Sequence, residues 1–112
     1  MTYVAWIDSN HSKLFKLATG KMDLHTVNRS NTLDLKNEEY YFHEVAKALK
    51  GAQELLLVGP GLAKTHFVAH LKHHHHMDLA KKVVGVETVD HPTEPEILAI
   101  ARKFFKSHDM FV

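Results

Sequence analysis

Histidine is the residue type in this 112-residue chain whose number and spacing most suggest chemistry. The sequence contains 11 His and no Cys, and His66, His70 and a run of four His at 73–76 lie close together. At about 100° per residue, His66, His70 and His73 share one side of a helix, and imidazoles so spaced can bind a divalent ion. A solvent-facing polar stripe explains the same spacing, and the pattern supplies no fourth ligand. We therefore expect no resident metal or cofactor, and these three His are candidates for adventitious binding only.

A second candidate is the glycine turn that contains Gly59, Gly61 and Lys64 and follows the most apolar stretch of the chain. Backbone N–H groups at a helix N-terminus attract anions, and glycines allow a phosphate to come close. The turn lacks both the Lys-Ser/Thr pair of the phosphate loop and the dinucleotide glycine pattern. A tight strand-to-helix turn that needs glycine for its backbone angles explains it better, although anion binding stays open as an alternative.

A third candidate is the pair Asp90 and His91, which follows the last predicted strand. An aspartate can orient a histidine as a general base, but the sequence places no nucleophile beside this pair. An ordered loop before a helix accounts for both residues, so we predict that the chain is not an enzyme. If the preceding strands are parallel, Gly59, Gly61, Lys64, Asp90 and His91 lie at one edge of the sheet, where ligands bind in open α/β folds.

The elements that position these residues follow from hydrophobic spacing. Three short apolar runs separated by turn residues predict an antiparallel meander with strands near 3–7, 13–17 and 22–27. Residues 28–36, which include Arg29, are polar and predict a mobile loop. From Asn37, a candidate N-cap, Phe42, Val45 and Leu49 recur at helical spacing.

The second half of the chain alternates between strands and helices. We predict a buried strand at 54–58, a helix at 62–75, a strand at 82–86 and a final helix in which Thr93 and Glu96 form a capping box. Such alternation predicts parallel pairing. The expected fold class is α/β: a mixed sheet of about five strands in a single domain over residues 1–112, with residues 110–112 a further strand or a tail.

Composition excludes several classes of protein. With 14 Lys+Arg against 13 Asp+Glu, the net charge of +1 predicts no broad basic surface for nucleic acid. Protonation of all 11 His would nevertheless make the protein distinctly basic. Apolar runs such as residues 55–58 are too short to span a membrane, and the first residues do not form a signal peptide. We therefore expect a cytoplasmic protein without a disulfide framework or a membrane partner.

Several segments resemble a known family, most specifically the sequence Val-Asp-His-Pro-Thr that ends at Thr93. The others are residues 6–8, 55–64, 70–71, 84–88 and 101–105. Together they resemble the small bacterial proteins labelled "translational machinery protein", stand-alone relatives of the third domain of archaeal and eukaryotic class-one peptide-chain release factors and of Pelota. The resemblance implies a fold shared with kink-turn-binding ribosomal proteins. It also implies a link to the ribosome or to translation factors.

The resemblance implies binding, with no catalytic residue at any position. In release factors this domain binds the partner GTPase, and peptide hydrolysis depends on a Gly-Gly-Gln sequence that this chain lacks. We therefore expect a non-catalytic, translation-associated module that contacts ribosomal RNA, another structured RNA or a translation protein. Its candidate anion- or RNA-binding residues are Gly59, Gly61, Lys64, Arg29, Asp90 and His91. The alternative is a small nucleotide- or phosphate-binding protein or enzyme that uses the edge formed by Gly59 to Lys64 and Asp90 to His91.

Overall fold

The computed structural model describes residues 1–18, 21–29, 38–74 and 76–110, with the side chains of residues 21, 22 and 107–110 left out of the description. Its elements in chain order are β1 (Thr2–Ile7), β2 (His11–Ala18), β3 (Lys21–Asn28), α1 (Glu38–Ala48), β4 (Glu54–Gly59), α2 (Ala63–His73), α3 (Met77–Ala80), β5 (Val83–Thr88) and α4 (Glu94–Met110). The proposed N-cap Asn37, the loop residues 30–36 and the final residues 111–112 lie outside the described part.

The strands form one mixed sheet in the order β3-β2-β1-β4-β5. The first three strands pair antiparallel, whereas β1 with β4 and β4 with β5 pair parallel. The predicted α/β fold, with a meander followed by parallel crossovers, is therefore confirmed. The central strand is β1, and β4 lies beside it in the interior of the sheet, which explains why the apolar run on β4 is continuous rather than alternating.

Helices cover both faces of the sheet. On one face, Ile7 and Leu57 pack with the buried residues of α1 and α2, including Phe42 and Phe67. On the other face, Val4, Trp6, Phe15, Leu56 and Val58 pack against four residues of α4, namely Ile97, Leu98, Ala101 and Phe105. Burial of each large apolar side chain contributes about 1.5–3 kcal/mol, so the two cores hold the strand ends in fixed positions.

The ends of the helices partly follow prediction. The capping box is confirmed, because the Thr93 N–H donates to Glu96 Oε1 at 3.0 Å and the Glu96 N–H points to Thr93 Oγ1 at 3.4 Å. The predicted helix at about 62–75 corresponds to α2, which ends at His73, and the separate short helix α3 that begins at Met77 was not predicted. This break turns the chain so that Leu79, on α3, joins the core. Met110 belongs to α4, so a further strand does not begin there.

Candidate functional site at the carboxyl edge of the sheet

All the residues singled out as anion or RNA ligands lie at one edge of the sheet. The parallel strands β1, β4 and β5 end there, and β2 begins and β3 ends at the same side. The Val89 N–H donates to the Gly59 carbonyl at 3.1 Å, which joins the loop after β5 to the turn after β4. We call this region the carboxyl edge: residues 8–13, 29, 59–64 and 88–94.

Gly59 is required by close packing of backbone against backbone. Its φ is +153°, and a Cβ added there would lie 2.1 Å from the carbonyl oxygen of Ile7 on β1. Gly61 has a φ of +56°, the left-handed region that glycine adopts most easily, and a Cβ there would meet nothing within 4 Å. The backbone structure thus explains why glycine occupies both positions, and only Gly61 has open space around it.

Lys64 is a structural residue of this turn. The residue is only 3% exposed. Its Nζ donates to the Gly61 carbonyl at 2.6 Å, so the ammonium group holds the turn that leads into α2. The sequence suggested a cation free to meet an anion, whereas the structure places this amine inside the fold. No side-chain hydrogen bond caps the start of α2 at Leu62 in the described part of the chain.

Asp90 and His91 lie on the surface of the loop that follows β5. The side chains are 93% and 66% exposed, and His91 Nε2 is 3.8 Å from Asp90 Oδ1. A contact of that length is too long for the hydrogen bond with which a carboxylate orients a general base. These two residues therefore present separate polar groups to solvent.

Trp6 anchors this loop, and sequence reasoning assigned it no part in the site. The residue is buried at the end of β1, and its Nε1 donates to the Asp90 carbonyl at 3.1 Å. Its ring lies 5.0 Å from that of His11 and 5.4 Å from that of His91, measured between centroids. The sequence contains a signal for this role: a tryptophan next to the turn after the first strand. A buried indole N–H requires a hydrogen-bond acceptor, which a nearby loop can supply.

Arg29 lies at the same edge, directly after β3. Its Nη1 donates to the Ser9 carbonyl at 3.2 Å, and its backbone N–H donates to the Asn10 carbonyl at 2.8 Å. In the same turn, Asp8 Oδ1 accepts backbone hydrogen bonds from Asn10 at 2.7 Å and His11 at 2.8 Å. Arg29 is therefore fastened to the turn between β1 and β2.

Tyr41 of α1 stabilises the turn between β1 and β2, and no sequence pattern indicated that role. Its hydroxyl donates to the Asp8 carbonyl at 3.0 Å and shares a second hydrogen bond with the Ser12 hydroxyl. Burial raises the pKa of Tyr41 well above its usual value, although the bond from Ser12 opposes the change. The phenol therefore remains neutral and bonded over the whole physiological range.

The edge carries charges of both signs. Lys13 Nζ is 3.4 Å from Glu94 Oε2, and the Asp90 side chain is almost fully exposed to solvent. Together with Arg29, the exposed and half-exposed groups leave no excess of positive charge. Leu62 adds an apolar side chain that is 67% exposed.

The histidines differ most from the sequence-based expectation. His66 and His73 are exposed, but His70 is only 7% exposed and packs edge-on against Phe42, so the predicted surface stripe is wrong for His70. Burial, followed by the neighbouring His74 and His76, lowers the pKa of His70 to about 4. It follows that mild acid does not charge all 11 His of the folded protein. Within the described ranges, the His that approach His70 closely enough to share a metal ion are His43 and His76.

Two cavities lie away from the predicted ligands. One, of about 550 Å³, lies between β3 and α1 and is lined by residues such as Lys16, Asp23 and Glu44. The second, of about 480 Å³, lies beside the end of α1 and is lined by residues such as His43 and His76. Among the described residues, no helix is long and apolar enough to cross a membrane.

The same architecture occurs in solved structures of translation factors. Pelota from Archaeoglobus fulgidus matches with a TM-score of 0.72 and 22% identity over 91% of this chain and 30% of its own. The archaeal translation termination factor aRF1 matches with a TM-score of 0.62 and 12% identity over 97% of this chain and 40% of its own. Dom34 from S. cerevisiae, a translation termination-like factor that interacts with Hbs1, matches with a TM-score of 0.64 and 10% identity over 89% of this chain and 31% of its own.

These similarities show a shared fold, and this chain spans between 30% and 40% of the length of the three proteins. No protein-family model matches the sequence, and no curated protein matches it either. The resemblance to release factors and Pelota noted in the sequence is thus supported at the level of fold.

Proposed function

We propose that this protein is a non-catalytic binding module of the translation machinery, which acts in the cytoplasm and uses the carboxyl edge to contact its partner. The observation that carries the proposal is the fold match, which covers 91% of the chain with Pelota, 97% with aRF1 and 89% with Dom34. Agreement with three translation-factor structures favours a common type of partner.

The chemistry of the carboxyl edge favours a protein partner over RNA. Binding to phosphates requires a local excess of Lys and Arg, whereas this edge mixes Arg29 and Lys13 with Asp90 and Glu94. Leu62, 67% exposed, supplies an apolar contact of the kind that protein interfaces bury at their centre. Dom34, which has the same fold, interacts with a protein partner, Hbs1. A translation protein is therefore the partner that we favour, with ribosomal RNA as the competing outcome.

Two features argue against an enzyme at this edge. The Lys64 amine is bonded within its own turn, and the 3.8 Å separation of His91 from Asp90 does not orient a base.

The alternative of phosphate binding depends on the uncapped start of α2 and the open space around Gly61. A thermal-shift screen with nucleotides and inorganic phosphate decides it, because a specific ligand at a hundredfold excess over Kd stabilises the fold by roughly 3 kcal/mol.

A sucrose-gradient experiment on native cell extract tests the proposal. We expect part of the protein to sediment with ribosomal particles or with a translation-factor complex at low salt. Replacement of Leu62 by Asp should abolish this sedimentation without harming the fold, because Leu62 is the N-cap of α2 and Asp is a better N-cap than Leu. Lys64 is unsuitable as a surface probe, since it is buried.

The matched control is Leu24→Asp, the same change at a residue that is 42% exposed on β3, away from the carboxyl edge. This variant should sediment like the wild type. The proposal is refuted if the wild-type protein remains at the top of the gradient at low salt. It is also refuted if Leu62→Asp and the wild type sediment alike.

A further inference from the structure

Three histidines from three different elements meet between the middle of α1 and the end of α2. His43 belongs to α1, His70 belongs to α2, and His76 is the residue that precedes α3. Each offers one ring nitrogen, and these nitrogens all lie within 4.8 Å of one another. The backbone fixes this arrangement, because the break between α2 and α3 brings the His76 N–H to the Leu71 carbonyl at 3.0 Å.

His70 provides the second observation. The residue is 93% buried, and its Nε2 has no hydrogen-bond partner among the described residues. A buried polar atom without a partner is costly, and proteins keep one where a ligand or a function uses it. The surrounding apolar rings favour the neutral imidazole, whose nitrogen lone pair is the form that binds metals.

We propose that His43, His70 and His76 form a binding site for one divalent transition-metal ion, with zinc the best fit. Three neutral imidazoles suit zinc, nickel, cobalt or copper, and they leave a fourth position for water or an added ligand. With Zn–N bonds of about 2.0–2.1 Å, tetrahedral ligand nitrogens lie roughly 3.3 Å apart. His43 is exposed and His76 half-exposed, so both rings can close on an ion held at the rigid His70.

An ion can reach this site from solvent. His43 and His76 both line the cavity of about 480 Å³, which also exposes Asp78 and the side chains of Lys47, Lys50 and Lys82. Positive groups around the cavity favour water, hydroxide or an anion at the fourth position. The site would therefore be a three-histidine centre with one exchangeable ligand.

A further pair of residues holds the buried ligand in place. The ring of His74 stacks on His70 with centroids 4.5 Å apart, and Glu39 Oε1 lies 3.1 Å from His74 Nε2. The stacked ring limits the orientations that the His70 imidazole can adopt. Glu39 is thus a positioning residue in this account, acting through His74 without touching the ion.

The test is titration of untagged protein, purified without a nickel column, with ZnCl₂ by calorimetry and with CoCl₂ by visible absorption. We expect one ion per chain and a tetrahedral Co²⁺ spectrum. His43→Ala and His76→Ala should raise the Kd by at least about tenfold and weaken the spectrum. Circular dichroism shows whether each variant is folded. His70 is not replaced, because it is buried and its loss would endanger folding.

His66→Ala and His73→Ala are the matched controls, because both residues are exposed on the same helix as His70. They should bind metal like the wild type. The proposal is overturned if folded His43→Ala and His76→Ala retain the stoichiometry and Kd of the wild type. It is equally overturned if His66→Ala and His73→Ala weaken binding as much, since the ion would then be held by a surface stripe.

Discussion

Replacement of Gly59 by alanine tests how the carboxyl edge is built. A Cβ at this residue would lie 2.1 Å from the Ile7 carbonyl oxygen, and the φ of +153° is one that residues with a side chain rarely adopt. The strained backbone costs about 1–3 kcal/mol. Separation of β4 from β1 at that point weakens one or two ladder hydrogen bonds, at roughly 1 kcal/mol each. We therefore expect a loss of about 2–5 kcal/mol in the free energy of unfolding.

The assay is urea unfolding followed by the fluorescence of Trp6, the single tryptophan of the chain. With an m value of about 1–3 kcal/mol/M, the midpoint for Gly59→Ala should fall by roughly 0.7 M or more, without a change in m. Gly61→Ala is the matched control, because its φ is +56° and its added Cβ meets nothing within 4 Å. That variant should cost only about 1–2 kcal/mol. Equal losses for the two variants would refute the close-packing argument.

Further predictions concern the supports of the same edge. Thr93→Ala removes the hydroxyl part of the capping box and should cost about 1 kcal/mol in urea unfolding. The backbone N–H of Thr93, followed by its hydroxyl, lowers the pKa of Glu96, so the stability that Glu96 contributes is complete above its unfolded pKa and disappears as the pH falls through its folded pKa. Thr93→Ala keeps the backbone N–H and should weaken this acid dependence, whereas Glu96→Gln should remove it. Trp6→Phe removes the hydrogen bond to the Asp90 carbonyl and should cost about 1 kcal/mol or more, with faster hydrogen exchange at Val89 as the specific readout. Burial raises the pKa of Tyr41, so the stability that its neutral hydroxyl contributes is complete below pH ~10, the unfolded pKa, and is lost as the pH rises above it. Tyr41→Phe should therefore make the free energy of unfolding less dependent on pH in alkaline solution.

Much of the fold could be predicted because it depends on local patterns. The apolar run on β4 and the helical spacing that starts at Phe42 each predict an element with little ambiguity, and the capping box at Thr93 marks the start of α4. The break between α2 and α3 could not be predicted in this way, because the histidines continue the helical pattern through it. It depends on Leu79 joining the core, a tertiary contact.

The site was less predictable, because its residues are paired across distant parts of the chain. Periodicity placed His70 on a surface stripe, whereas α1 covers it with Phe42 and brings His43 to its side. Charge and position made Lys64 a candidate cation, but its amine is bonded to Gly61 inside the fold. Sequence spacing gives the direction of a side chain on its own helix and does not tell which neighbour covers it.

The central claim is that the carboxyl edge attaches this protein to the translation machinery. The most direct measurement is affinity capture from native cells with quantitative mass spectrometry, comparing the wild type with Leu62→Asp and Leu24→Asp. We predict enrichment of translation factors or ribosomal proteins with the wild type and with Leu24→Asp, and its loss with Leu62→Asp. The claim is contradicted if the wild type enriches no more of these proteins than an unrelated bait does, or if Leu62→Asp captures them equally well.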